Sequence, residues 1–372
     1  MITLQEITTK KEMKTFVQFP FKLYKNNPYW VPPLINDEIN SFDKTINPVF
    51  EHAEARYFVA LKNNEIVGRI AAIINYIEIN EQKLKKMRFG WFDFIDELEV
   101  SKLLLNKVEE IGKQHQLDFM EGPVGFSNLD KVGVLTEGFN HIGTMITWYN
   151  HAYYKNHFEK LGFTIEKEYL ENKFEFKNVD RAPLERVSEI IKKRYQLKSL
   201  NFTKTKDIMP YVDEMFDLFN ESYALLPSFV PISDIEKAYF KKKYISFINP
   251  EYIKFVVDTN DKIIAFAIIM PSFSNALQKA KGKLLPFGLF HLLKAKKNSK
   301  DVILYLIGVH PNHQSKGIHA LLFLELQISC ALNGVENCIR TPELASNKAI
   351  AAIWKNFDPV TFKKRCTYKK VI

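Results

Sequence analysis

The stretch VHPNHQSKGIHALL, Val309 to Leu322, decides how the whole chain is read. An apolar run, VILYLIGV (Val302 to Val309), enters it as a strand, and a helix-periodic apolar run, IHALLFLELQISCAL (Ile318 to Leu332), leaves it. The turn between them carries Gln314, Ser315, Lys316 and Gly317, with scarcely a side chain able to do chemistry. The first N–H groups of a helix have no partner within it, and the helix dipole is positive at that end. A strand that turns tightly into a helix therefore presents backbone donors to an anion such as a phosphate. Gly317 permits close approach of the backbone, successive amides in such a turn form an anion nest, and Lys316 adds a positive charge. Helix capping alone is the competing explanation of the same glycine.

Working outward, the strand is preceded by YIKFVVDTNDKIIAFAIIM (Tyr252 to Met270), a hairpin turning at Asn260-Asp261, and by helical patterns from Leu184 to about Tyr244. A strand around Asn337 to Thr341, a helix over Asn347 to Phe357 and a strand from Phe362 follow it. The first half repeats this order. Its hairpin is RYFVALKNNEIVGRIAAII (Arg56 to Ile74), turning at Asn63-Asn64. A strand RFGWFDFI (Arg88 to Ile95), a helix from Glu97, a strand LDFMEGP (Leu117 to Pro123) and a helix YYKNHFEKLGF ending at Gly162 come next. Two strands, Thr164 to Asn172 and Lys173 to Asn178, close the half after an opening that reads as amphipathic. Two passes of one order are an architectural repeat. The expected fold is α+β, two tandem domains over residues 1–180 and 181–372, each a mixed, mostly antiparallel sheet flanked by helices. The first copy lacks the turn: Asp96, Glu97 and Glu99 stand where an anion would have to bind, so it is expected to hold none.

The turn resembles the pyrophosphate loop of the GNAT acyltransferase superfamily, Val-x-Pro followed by Gln/Arg-x-x-Gly-x-Gly/Ala. Val309, Pro311, Gln314 and Gly317 match, while His319 stands at the last small position and Ala320 falls one place late. The resemblance implies acyl-CoA or acetyl-CoA as co-substrate, its pyrophosphate held by amides from Gln314 through Ser315, Lys316, Gly317 and Ile318 to His319. It implies pairing of the pantetheine arm with the backbone near Ile307 and Val309. SNKAIAAIWKNF resembles the segment Asn-x-x-Ala-x-x-x-Tyr of the superfamily: Asn347 matches, and Trp354 replaces the tyrosine acid with an indole that cannot serve as one near neutral pH. For the proton released by an attacking amine, the candidate acceptors are His310, just past the strand, and Glu343, after the next one.

A narrower resemblance covers most of the chain. Gly122, Pro123, Phe126 and Ser127, then Glu137, Gly138 and Phe139, then Tyr149, Asn150, Tyr153 and Tyr154 are similar to a signature of the bacterial ceramide synthase-like branch, with His151 and Ala152 in place of its usual prolines. It implies transfer of a fatty acyl group to a long-chain, sphingoid-type amine. Tyr149, Asn150, Tyr153 and Tyr154 are the substrate-binding candidates, with core packing as the other reading. An N-acetyltransferase for a small amine or amino acid, and a non-catalytic acyl-CoA-binding protein, are the alternatives. The tandem architecture also resembles the aminoacyl transferases of peptidoglycan, whose tRNA substrates do not call for a coenzyme loop.

The remaining features bound these readings. The chain has 372 residues, enough for two domains, and a net charge of +9 that suits an anionic partner or simple solubility. No zinc-finger, helix-turn-helix or RNA-binding signature is present, so no nucleic-acid partner is expected. Cys330, Cys338 and Cys366 are too few for a disulfide framework or a zinc site, and His310 and His313 have no third ligand in view, so no metal is expected. The polar amino terminus lacks a signal-peptide core, and no apolar run reaches the roughly 20 residues of a membrane span. A cytoplasmic protein is expected, peripheral on the inner face of the membrane if one segment engages lipid. That segment is Leu277 to Lys300, whose apolar centre, Leu284 to Leu293, is flanked by Lys279, Lys281, Lys283, Lys294, Lys296 and Lys297. It reads either as an element lying in an anionic interface or as a lid packed on the protein.

Overall fold

The computed structural model describes residues 1–226, 229–245 and 248–372, without the side chains of 244, 349 and 355. In the first half, β1 (Ile2–Glu6), α1 (Lys10–Leu23) and α2 (Ile35–Ser41) precede the hairpin of β2 (Ala53–Lys62) and β3 (Glu65–Asn75). Then come α3 (Tyr76–Asn80), β4 (Lys86–Phe94), α4 (Leu98–Gln114) and β5 (Phe119–Gly122). After β6 (Val134–Glu137), α5 (Tyr153–Lys160) leads into the long β7 (Thr164–Glu175). The second half opens with α6 (Arg181–Tyr195), β8 (Lys198–Leu200), α7 (Thr205–Ile208), α8 (Val212–Tyr223) and α9 (Asp234–Phe240). Its hairpin is β9 (Ile253–Val257) and β10 (Ile263–Pro271), followed by α10 (Ser274–Ala280) and α11 (Gly288–Asn298). β11 (Asp301–Val309), α12 (His319–Leu332), β12 (Asn337–Arg340), β13 (Glu343–Leu344), α13 (Lys348–Trp354) and β14 (Val360–Val371) follow.

The repeat is therefore real at the level of element order, and both hairpins turn where their sequences ask. Asn63 and Asn64 both take left-handed conformations (φ 52° and 64°), as a two-residue hairpin turn of type I′ requires. In the second hairpin Asp261 is left-handed, and Asp258 accepts from the N–H groups of Asn260 and Lys262. Two details differ from expectation. The opening residues form β1, an edge strand on β2 whose Ile2 and Leu4 pack on the core while α1 begins at Lys10. The two strands expected over Thr164 to Asn178 are one strand of 12 residues, β7, followed by a single 3₁₀ turn. Its dense charges do not break it because they find partners across the sheet.

All the strands join in a single sheet in the order β1-β2-β3-β4-β5-β14-β7-β12-β11-β10-β9-β8, with β6 on β14 and β13 on β7. The order crosses the division of the sequence at residue 180. β14 lies between β5 and β7, and β7 lies between β14 and β12, so each half lends its last long strand to the other. Across this seam Glu171 receives Arg365 and has Lys363 3.8 Å away, all three buried. Glu121 takes Lys167 and the hydroxyl of Thr367. Buried charges must be paired to be tolerated, and the Glu171 pairs tie residues nearly two hundred positions apart.

Among the described residues only β4 with β5 and β11 with β12 run parallel, and both pairings are short. β11 is paired to β12 from Asp301 to Leu304 and then continues to Val309 with β10 as its strand partner on one edge. β4 is likewise paired to β5 only from Lys86 to Arg88. Each half thus has a V-shaped opening between diverging parallel strands, and the two openings are used differently.

Candidate active site

In the first half the opening is filled. The Val124 N–H bonds to the Phe89 carbonyl at 2.8 Å, so the chain beyond β5 stays against β4. α5 then lays Tyr154 and Phe158 on Phe94, Phe92 and Phe89. At the strand's end the Phe94 N–H donates to the Tyr154 hydroxyl, and the Tyr153 hydroxyl donates to the Phe94 carbonyl. Buried Tyr154 also bonds Tyr24, which in turn donates to Asp93. The side chain of Asn150 closes on both backbone groups of Leu135. Tyr149 receives Asn27 and lines a separate surface depression with Tyr24, Phe139 and His151. None of these four substrate candidates lines the large cleft described below: their polar groups are spent on holding the first half closed.

In the second half the opening is a cleft of about 730 Å³ lined by both halves. A bulge at Tyr305 resets β11: Ile269 pairs with Leu304 and Ile268 with Leu306, leaving Tyr305 unmatched. Beyond it the His310 N–H bonds Ile264 on β10. By the two-residue alternation of a strand, the peptide groups of Ile307 and Val309 face away from β10, towards the cleft. The Ile307 carbonyl accepts from the Tyr223 hydroxyl of α8 at 3.0 Å, and the Val309 carbonyl accepts from the Gln314 side chain at 3.2 Å.

The turn that follows leaves a row of backbone donors without partners among the described residues. Ser315 and Gly317 are left-handed (φ 63° and 76°). The N–H groups of His313 and Gln314 bond to His310 and Pro311, and those of Ala320 and Leu321 bond to Gly317 and Ile318. The five between, from Ser315 to His319, bond to no described residue. A Cβ at Gly317 would meet only the tip of Ile191, at 3.0 Å, so it is the left-handed conformation that calls for glycine here. Gln314, Ser315, Gly317, Ile318 and His319 line the cleft, and Lys316 rests its ammonium over Tyr195 at 5.5 Å. His319 is half-buried, and burial lowers its affinity for a proton, so the ring at the helix start is neutral.

The other candidates fall as follows. Asn347 lines the cleft and caps α13, accepting from the Ile350 N–H. Glu343 also lines the cleft; burial raises its carboxyl above the usual range, and the guanidinium of Arg340, which it grips with both oxygens, only partly offsets this. His310 does not line the cleft. Its Nδ1 accepts from the Asn312 N–H and its Nε2 lies 3.3 Å from Glu221, so both ring nitrogens are engaged behind the turn. Trp354 is buried among Phe323, Phe174 and Phe357 with Arg340 over its face, a core residue that does not reach the reacting space.

Several lining residues escaped sequence reasoning. Tyr223 and Tyr305 project from α8 and the bulge, and burial pushes the Tyr223 hydroxyl up to about 12. The first half contributes Lys86, Arg88, Glu121 and Lys167. Burial alone would raise Glu121, but Lys86 and Lys167 hold it below the ordinary carboxylate value. Lys86 and Arg88 could have been found, since charges two apart in an apolar strand mark one polar face. Nothing local in sequence links Tyr223 to β11.

No family model matches the chain. It is 24% identical to a bacterial ceramide synthase of Caulobacter vibrioides (strain NA1000 / CB15N), over 98% of this chain and 96% of that protein. It is 26% identical to protein YghO of Escherichia coli (strain K12), over 85% of this chain and 81% of that protein. Among solved structures it resembles a tandem GNAT protein from the clavulanic acid biosynthesis pathway, with a TM-score of 0.60 at 9% identity, covering 100% of this chain and 98% of that one. Two copies of one element order, an open V with an amide-lined turn and the likeness to that solved structure agree: the chain has a tandem GNAT fold, and it is similar in sequence to a bacterial ceramide synthase.

Proposed function

We propose that the protein is an N-acyltransferase that takes an acyl group from acyl-CoA, bound by residues 181–372, and passes it to an amine, with residues 1–180 serving as a coenzyme-free wall of the cleft. The observation that carries this reading is the row of five N–H groups beside Lys316, from Ser315 to His319, that meet no acceptor among the described residues. A diphosphate satisfies such a row, and the cleft-facing N–H groups of Ile307 and Val309 can donate to a pantetheine amide chain, while their carbonyls accept from Tyr223 and Gln314. A neutral amine attacks the thioester carbonyl, a C–N bond forms, and the C–S bond breaks to release the coenzyme thiolate. The excess proton on nitrogen passes to Glu343, whose carboxyl burial raises above the ordinary carboxylate value and so makes a stronger base. Peptide N–H groups on the free edge of β11 would polarise the carbonyl.

The long-chain amine and fatty acyl group belong to the same proposal. They are supported by the likeness to a protein named ceramide synthase and by the apolar share of the cleft lining, which includes Leu129, Ile146, Leu226, Ile350 and Ile353. A second reading, an acyl-CoA-binding protein without turnover, draws on the burial of Trp354 and the tethering of Glu343 to Arg340. Incubating the protein with palmitoyl-CoA or acetyl-CoA and a panel of amines, with free thiol followed, separates them. Thiol release with palmitoyl-CoA and a long-chain amine is expected. Release with acetyl-CoA alone would overturn the lipid assignment, and binding without release on any amine would favour the sensor.

A further inference from the structure

The helical pair between β10 and β11 has two unlike sides. One is held firmly. Ala276, Leu277 and Leu292 are buried with Val31 and Phe273, and Leu34, Ile142 and Met145 pack against them. The Gln278 side chain donates to the Pro28 and Trp30 carbonyls, and the Ile35 N–H donates to the Gly282 carbonyl. The other side is bare. Leu285, Phe287, Phe290 and Leu293 are 75%, 71%, 64% and 52% exposed, and Leu284 and Leu289 exceed a third. Six of the 17 large apolar side chains that are exposed among the described residues thus fall within ten consecutive positions. Water does not favour such a patch, and monomeric proteins rarely keep one without a use. α10 thus packs on the protein as a lid would, and Leu292 joins it from α11, whereas Leu284, Leu285, Phe287, Leu289, Phe290 and Leu293 of the loop and α11 turn outward.

Charge says what covers the patch. Lys279, Lys281, Lys283, Lys294 and Lys297 are exposed around it, and none is ion-paired with a described residue. No Asp or Glu occurs from Ser272 to Lys300. A second copy of this chain would bring the same lysines face to face and repel; an anionic lipid surface accepts both the aromatic tips and the ammonium groups. We infer that the loop between α10 and α11, with the exposed face of α11, docks the protein on the surface of an anionic bilayer, inserting Leu285, Phe287 and Phe290 at the headgroup boundary. The anchor is rigidly placed with respect to the active-site cleft: Met145 packs under the helical pair, and its neighbour Ile146 lines the cleft.

The test is co-sedimentation of the full chain with sucrose-loaded vesicles of phosphatidylcholine alone or with 30% phosphatidylglycerol, without substrate, so that the outcome is independent of the transferase reading. Binding is expected to the anionic vesicles and to weaken as salt rises. The triple change Lys283→Gln, Lys294→Gln, Lys297→Gln should weaken it on the order of 100-fold, from about fivefold per lysine. Phe287→Ser with Phe290→Ser should abolish it while leaving the circular dichroism unchanged. Equal binding to both vesicle types, no binding to either, or loss of a dimer rather than of lipid binding in the Phe variant would each overturn the inference.

Discussion

The junctions from β4 to α4 and from β11 to α12 occupy equivalent places in the two halves and have opposite chemistry. From β4 to α4 the chain carries Asp96, Glu97 and Glu99, with Asp96 on His157 and Glu97 on Lys62. From β11 to α12 it carries two left-handed residues, a lysine and five unclaimed amides. The end of β4 is plugged by the hydroxyls of Tyr153 and Tyr154, whereas the corresponding edge of β11 faces a cleft. The comparison teaches that this architecture does not itself make a binding site. A handful of residues decides whether the V between parallel strands is core or cleft, and the plugged copy then becomes a wall for the open one.

The comparison can be broken most severely at the seam that lets one half serve the other. Arg365→Ala leaves Glu171 buried with only the more distant Lys363 and should cost about 3–5 kcal/mol, read as a drop in the urea midpoint. Putting a first-half carboxylate into the open turn is the next test. Ser315→Asp should weaken binding of CoA by up to about 4 kcal/mol, roughly a thousandfold, in calorimetry. Asp96→Asn with Glu97→Gln in the first half should create no second site in the same titration. Glu343→Gln should lower kcat about 100-fold. In the unaltered protein a carboxyl raised by burial loses its basic form as pH falls through that raised value, so activity should decline above the usual carboxylate range; the Gln variant should lack this acid limb. The smallest effect is expected of Tyr223→Phe, which removes one hydrogen bond to Ile307 and should reduce kcat/KM about three- to tenfold.

The turn, the hairpins and the doubling of element order were legible in sequence because each rests on neighbours: glycine and asparagine conformations, strand alternation, helix periodicity. Gln314 to His319 could be picked out for the same reason. Pairing partners are not neighbours, and this is why β7 was read as two strands inside one half although it bridges both. The aromatic cluster from Tyr149 to Tyr154 shows the other limit. Tyrosines that plug a strand end and tyrosines that line a cleft have the same composition, and only the Phe94 backbone bonds distinguish them.

The lending of β14 to the first half bears on how the molecule is made. At roughly 5–20 residues per second on the ribosome, β7 waits on the order of 10–40 s after its own synthesis before its neighbour emerges. During that interval β5 and β7 both present raw edges, a template for pairing with other nascent chains. A chaperone that shields sheet edges should therefore raise the yield of native protein more when it acts during translation than when it is added afterwards.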